Sequence, residues 1–245
     1  SLASLAVGVA LLGYWLVHAL RSANPLIDVR LFRHREVLIA NLVTALTSMS
    51  TLQITLVFSV MLQAPRWTLV GLGLSATLAG LSKLPSNILS TFAGPLSGWL
   101  TSRGGGRVTM VAGGLLTIIG WGLALAFHDA VFHVILALCV ISFGSTMLFA
   151  VGPTILAAVA PPGRTSEVAG MMTVVRQAFL GIGAQMVTTL LATSTLIDPV
   201  GGAKFPAPAA FNLTIVVIIA FCAAATLVAL ALPRGRHGAL QEHRA

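Results

Sequence analysis

Charge is scarce in this sequence: of 245 residues only 14 are Lys or Arg and 6 are Asp or Glu, 8% in all, where a soluble domain carries about 25%. So few charges cannot cover a folded surface against water, and 57% hydrophobic residues with a mean hydropathy of +0.97 are the reverse of a disordered composition. A soluble enzyme and a disordered linker are both excluded, which leaves lipid as the solvent. Aromatic residues are also few, with one Tyr, four Trp and eleven Phe, and no basic run is interleaved with them. The net charge of +8 therefore does not point to nucleic acid. Cys139 and Cys222 both lie in apolar runs without a CxxC spacing and read as small buried hydrophobes, neither a disulfide nor a metal pair. Six His form no HxxxH or HExxH pattern, and no Asp or Glu lies in the middle of a long apolar run, Glu167 standing at the entrance to one. Metal and nucleophilic catalysis lack candidates, so the expectation is a non-enzyme without metal or cofactor.

What the sequence has in abundance is apolar runs of membrane-crossing length, about 20 residues. Seven can be marked: 2–20, 37–62, 75–100, 108–127, 132–160, 167–192 and 210–232. Basic residues alternate between the connections. Arg21, Arg30, Arg33, Arg35, Arg103, Arg107, Arg164, Arg234, Arg236 and Arg244 fall on one side, whereas the other connections supply only Arg66 and Lys204. Because basic loops stay in the cytoplasm, Ser1 is expected outside and Ala245 inside. The first run lacks the basic head and cleavage site of a signal peptide and there is no initiator Met, so the chain is read as beginning partway through a larger protein. Residues 24–36 mix Pro25 with apolar and basic residues and suggest a short interfacial helix at the inner face.

Polarity is distributed unevenly among the later spans. The second carries Asn41, Thr44, Ser48, Thr51 and Thr55, spaced to share one helical face over roughly 21 Å. Such a stripe serves either interhelical hydrogen bonding or a cavity wall, and five members in register favour the wall. The fifth span repeats the pattern with Ser142, Ser145 and Thr146, and Gly144, Gly152 and Pro153 allow it to bend. The fourth and seventh are nearly free of hydroxyls and read as lipid-facing. Gly94 and Gly98 form a GxxxG spacing, followed by a tight basic turn that contains Arg103, Gly105 and Arg107. No phosphate-binding P-loop pattern is present, so this turn is either a plain inside-positive loop or a packing device. Two cations lie within spans: Arg176, roughly 13 Å past the start of the sixth, and Lys83, close enough to its own span's start to snorkel. Gln177, Gly181 and Gln185 recur at i+4 as a small, polar seam suited to another helix.

Taken in order, several of these segments resemble one family. They are Pro25-Leu26-Ile27-Asp28-Val29-Arg30-Leu31-Phe32-Arg33, Gly80-Leu81-Ser82-Lys83-Leu84-Pro85, Gly94-Pro95-Leu96-Ser97-Gly98 with Arg103 and Arg107, Gly152-Pro153 leading to Pro161-Pro162, and Arg176-Gln177 with Gly181 and Gly183. Together they are similar to the fourteen-span drug:proton antiporters of the major facilitator superfamily, EmrB/QacA type. The resemblance implies an all-α membrane fold with seven transmembrane helices, divided into a linker helix at 1–20, an interfacial connection at 21–36, a C-terminal six-helix bundle at 37–232 and a cytoplasmic tail at 233–245. It also implies that the first and fourth bundle helices line a cavity for an amphipathic small molecule, and that protons, the bilayer and a missing N-terminal half are the partners. The implied location is the plasma membrane, a bacterial inner membrane. The family places an acidic residue just before the Arg of the basic turn, and Ser102 stands there instead, which leaves that loop a packing role without a charge relay. Lys83, Arg176, Gln177 and Gln185 are the expected gate and intramembrane polar groups. A non-transporting truncated scaffold or half-transporter is the alternative, and a channel is disfavoured by the single stripe and the missing carboxylate rings.

Overall fold

In lipid no water is present to bond the peptide groups, so an apolar run is stable only when its backbone bonds itself, as an α-helix does. The computed structural model of the chain is accordingly an all-α membrane protein. It describes residues 35–159, 165–198 and 201–231, with isolated helical positions at 7, 8, 10, 13 and 14. The rest of the expected first span, the connection up to residue 34, Pro161, Pro162, Arg164 and the tail lie outside the described residues. Among those described, five helical stretches are long and apolar enough to cross a membrane: Val37–Gln63, Ala76–Ala126, Val131–Pro153, Ala169–Leu191 and Pro208–Leu230.

The first of these is built in three pieces: α1 (Arg35–Ser50), one 3-10 turn at Thr51–Gln53, and α2 (Ile54–Gln63). Ser50 donates its hydroxyl to the Leu46 carbonyl at 2.8 Å, and its ψ is drawn to −73°. Back-bonding of this kind bends helices. The polar stripe, expected on one unbroken helix, is therefore turned at the break: Asn41, Thr44, Ser48 and Thr51 are buried, whereas Thr55 is exposed. After a loop, Ser75 starts α3 (Ala76–Leu81) by accepting the Leu78 N–H, and α4 (Leu84–Ala126) follows, with Pro85 in its first turn.

Although helical on both sides, α4 doubles back at Gly105. The Thr101 and Thr109 hydroxyls lie 2.9 Å apart, while eight residues of straight helix would separate them by about 12 Å. Gly105 has φ 79° and ψ 163°, a conformation nearly confined to glycine. The two limbs, 84–104 and 106–126, occupy the places of the expected third and fourth spans. Then come α5 (Val131–Val159), α6 (Thr165–Leu191), an antiparallel hairpin of β1 (Thr195–Ile197) and β2 (Lys204–Pro206), and α7 (Pro208–Leu230).

Packing is most extensive between α4 and α5, where small residues let the backbones meet. A Cβ placed on Gly144 would fall 2.6 Å from the Gly113 carbonyl oxygen, and one on Gly120 would fall 2.8 Å from the Ile141 nitrogen. Two apolar clusters form among the described residues. The larger, toward the hairpin end, joins Phe58, Met61, Trp121, Leu138, Ile141, Phe211 and Ile218. The smaller, at the other end, joins Ile39, Val43, Met110, Leu148, Val151 and Ala229. Between them runs a band of buried hydroxyl groups, including Ser48, Ser50, Thr51, Thr117 and Ser145. Outward faces are apolar: Leu115, Ile119, Val216 and Leu227 are exposed on the second limb of α4 and on α7, as a lipid-facing wall requires.

Candidate functional site

At the level of the hydroxyl band the bundle opens into a recess of about 270 Å³. It is lined by Thr51 and Ile54 from the stretch Val37–Gln63, Asn87 and Ser90 from α4, and Ser142, Ser145, Thr146 and Phe149 from α5. The structure thus brings Thr51 together with all three expected positions of α5. Asn41, Thr44 and Ser48 lie away from the recess; they are buried and donate to the Val37, Ala40 and Thr44 carbonyls at 2.7–2.8 Å. Thr55 lies on an exposed surface.

Of the five hydroxyls that line the recess, three are committed to the backbone. Ser90 donates to the Ser86 carbonyl at 2.6 Å, Ser145 to Ile141 at 2.6 Å and Thr146 to Ser142 at 2.8 Å. A carbonyl can only accept, so each of these protons is committed to the helix backbone. What the three oxygens offer the recess is lone pairs. Among the described residues no charged side chain lines it, and Phe149 is its one aromatic ring. Over that ring, 4.5 Å from its centroid, sits the guanidinium carbon of Arg176, reaching from α6.

Asn87, Ser90, Ile54 and Phe149 were not singled out by the reading of the residues alone. A signal for the first two was present: Lys83, Asn87 and Ser90 recur at i, i+4 and i+7, which puts them on one face. Phe149 carried none, because an aromatic within an apolar helix looks like ordinary core.

The other expected positions are not among the residues that line this recess. Lys83 donates to Ser59 Oγ at 3.4 Å, and Ser59 also lines a second recess with Gln63, Lys204 and Phe205 beneath the hairpin. Lys83 therefore reaches toward the hairpin end of the molecule. Arg103 lies over the Trp99 ring at 4.4 Å, and Arg107 follows the reversal at Gly105. Gln177 and Gln185 are exposed on α6 with Gly170, Thr173 and Gly181, and Asn87, Thr91 and Gly98 are exposed on the first limb of α4 with the half-buried Gly94. A Cβ at Gly94, Gly98, Gly170 or Gly181 would meet nothing within 4 Å. Two stripes of small and polar residues are thus open beside the recess.

Comparison with known proteins agrees with this architecture. Residues 2–184 match the sequence profile of the Major Facilitator Superfamily. The chain is also 30% identical over 193 residues to the methyl viologen resistance protein SmvA of Salmonella typhimurium, in both strain 14028s and strain LT2. The alignment covers 78% of this chain and 38% of each relative, so the chain spans about two fifths of the length of the curated relatives it matches.

Proposed function

Since the chain belongs to the major facilitator superfamily, we propose that it is the C-terminal part of a secondary transporter of the fourteen-span drug:proton antiporter type, which expels amphipathic small molecules, methyl viologen among them, in exchange for protons. In this reading residues 1–20 are the linker helix, 21–36 the interfacial connection, 37–232 the C-terminal bundle and 233–245 the cytoplasmic tail. The hairpin end faces outward from a bacterial inner membrane. Support comes from the ordered motifs, from the name of the relatives, and from the alternation of basic loops. The observation that carries the reading is the recess, since a hydroxyl-lined hollow at mid-depth in a lipid-solvated bundle has no role in stability that apolar packing would not fill better. The two open stripes on α4 and α6 suit close packing against the N-terminal half, which would wall the recess on its open side.

The test uses the full-length protein with Cys139 and Cys222 replaced. Cysteines placed at Ser142 and Thr146 are expected to react with small hydrophilic thiol reagents and to be protected by methyl viologen, while a cysteine at Leu115 stays inert. If Ser142→Cys and Thr146→Cys resist labelling in every state of the transporter, the hydroxyls are packing groups and a non-transporting scaffold becomes the better account.

A further inference from the structure

We propose that the second recess, beneath the hairpin, binds the headgroup phosphate of an anionic phospholipid through Lys83 and Lys204. The inference goes beyond the transport reading and does not draw on it, since it concerns a different hollow and a ligand that is not cargo. The recess measures about 360 Å³. Its place in the fold is the boundary between hydrocarbon and water. Gln63, in its wall, is the last residue of one apolar stretch, and Lys204 and Pro206 stand just before Pro208, the first residue of another. Ser59 lies one turn, about 6 Å, inside the end of its helix. Trp67 is exposed at the same end, its ring edge-on to Phe205 at 5.7 Å, and tryptophan is the side chain that partitions to the headgroup level.

The polar groups of this recess are donors in search of an acceptor. Lys204 lines it, and Lys83 reaches its wall, donating to Ser59 Oγ at 3.4 Å. An ammonium carries three N–H donors and accepts nothing, so one bond to Ser59 leaves Lys83 with donors to spare. Ser59 accepts that bond and, among the described residues, donates to no carbonyl, unlike Ser90, Ser145 and Thr146 of the first recess. Among the described residues no Asp or Glu lines the hollow, and Asp198, on the same hairpin, is not part of its wall. Two cations and a hydroxyl proton from separate elements thus converge where the bilayer supplies phosphate diesters. Val60, Phe205 and Pro206 add an apolar wall, which suits the glycerol and upper acyl carbons of a lipid and gives a soluble anion nothing. The wall is also preformed. The Leu72, Gly73 and Leu74 N–H groups donate to the Met61, Ala64 and Leu62 carbonyls at 2.8–3.0 Å, which fixes the end of α2, so little order remains to be imposed on binding.

The experiment takes delipidated, purified full-length protein and titrates it with phosphatidylglycerol or with phosphatidylcholine of the same acyl chains. Bound lipid is read by native mass spectrometry and protection by the melting temperature, with inorganic phosphate at constant ionic strength as a third arm. Binding of the tightest phosphatidylglycerol is expected to weaken about fivefold in Lys83→Gln, about fivefold in Lys204→Gln and more than tenfold in the double variant. Phosphatidylcholine binding should change less than about twofold in all three, because its choline cancels the charge that the lysines read. Lys204→Arg should bind like the wild type. Should Lys83→Gln lower the melting temperature of the lipid-free protein, the exposed Lys204, compared as Gln and as Arg, decides alone. Unchanged phosphatidylglycerol affinity in Lys204→Gln and in the double variant would overturn the site, and equal losses of both lipids would overturn recognition of headgroup charge. Protection by inorganic phosphate that matches phosphatidylglycerol and vanishes in the double variant would assign the recess to a soluble anion and overturn the lipid. None of these measurements involves efflux, so their failure leaves the transport reading standing.

Discussion

Between Gly113 and Gly144 two helix backbones leave no space for a methyl group: a Cβ on Gly144 would sit 2.6 Å from the Gly113 carbonyl oxygen and 2.7 Å from Thr117 Oγ1. Gly122, on the same limb of α4, has nothing within 4 Å of such a carbon. Gly144→Ala should therefore destabilise the full-length protein by ~1–3 kcal/mol, because α4 and α5 must part. Gly122→Ala should be neutral or slightly stabilising through helix propensity. Thermal denaturation in detergent checks the pair, and equal melting temperatures would show that the close approach does not exist. From the residues alone Gly144 suggests a bend, but the partner that makes it indispensable, Gly113, lies 31 positions away and meets it only once the helices are packed. The hydroxyls were more legible. Ser142, Ser145 and Thr146 were marked as a wall and line the recess with Thr51, since a polar group in an apolar run must face protein or cavity. Asn41, Thr44 and Ser48 are also polar residues in an apolar run, but they lie buried in α1, which packs among α5, α6 and α7. Composition cannot tell a polar group that faces a neighbouring helix from one that faces a recess.

Among the elements, the reversal in α4 is legible in the residues, whereas the break inside Val37–Gln63 is not. A run of Gly104, Gly105 and Gly106 between basic residues marks a reversal, since glycine adopts the positive φ that Gly105 requires. The break at Ser50–Gln53 left no such mark. Ser50 and Thr51 fit a continuous polar face, and the break combines the local back-bond of Ser50 to Leu46 at 2.8 Å with a bond that only packing creates, from Gln53 Nε2 to the Leu180 carbonyl of α6 at 3.1 Å. The reversal makes a sharp prediction. Thr101→Cys with Thr109→Cys in a protein lacking Cys139 and Cys222 should form a disulfide under mild oxidation, because the hydroxyl oxygens they replace are 2.9 Å apart. Trypsin cutting at Arg103 or Arg107 would then leave the two fragments joined until reductant is added. Fragments that separate without reductant would mean a straight helix there. Gly105→Ala should weaken the same turn, at a cost of ~1–3 kcal/mol for a side chain at φ 79°.

For the molecule as a whole, the unused surface says most about its partners. Gly98 and Gly181 stand on the two open stripes, and a Cβ on either would meet nothing. If the N-terminal half packs there, Gly98→Leu and Gly181→Leu should each cut efflux by the full-length protein at least tenfold, whereas Gly122→Leu, on a lipid-facing side, should spare it. Equal activity in all three would place the stripes in lipid. The same surface bears on proton coupling. An antiporter needs a group that changes charge inside the membrane, and the groups that titrate most usefully are carboxylates. This chain has no Asp or Glu in the middle of a span. Arg176 lies over the Phe149 ring. Lys83 is the remaining cation within a span, but it is half-buried and extends toward Ser59 beneath the hairpin, at the edge of the bundle and apart from the recess that Thr51, Ser145 and Phe149 line. A proton bound at Lys83 would not be exchanged against substrate in that recess by direct competition. If the full-length protein exchanges protons, its coupling carboxylate is expected in an N-terminal half that faces the recess across the open stripes. Lys83→Gln in the full-length protein should keep proton-driven efflux, measured as substrate-induced proton release from energised inside-out vesicles, within about threefold of wild type. Loss of that proton release with substrate binding and expression intact would instead move the coupling site into this half, to Lys83 itself.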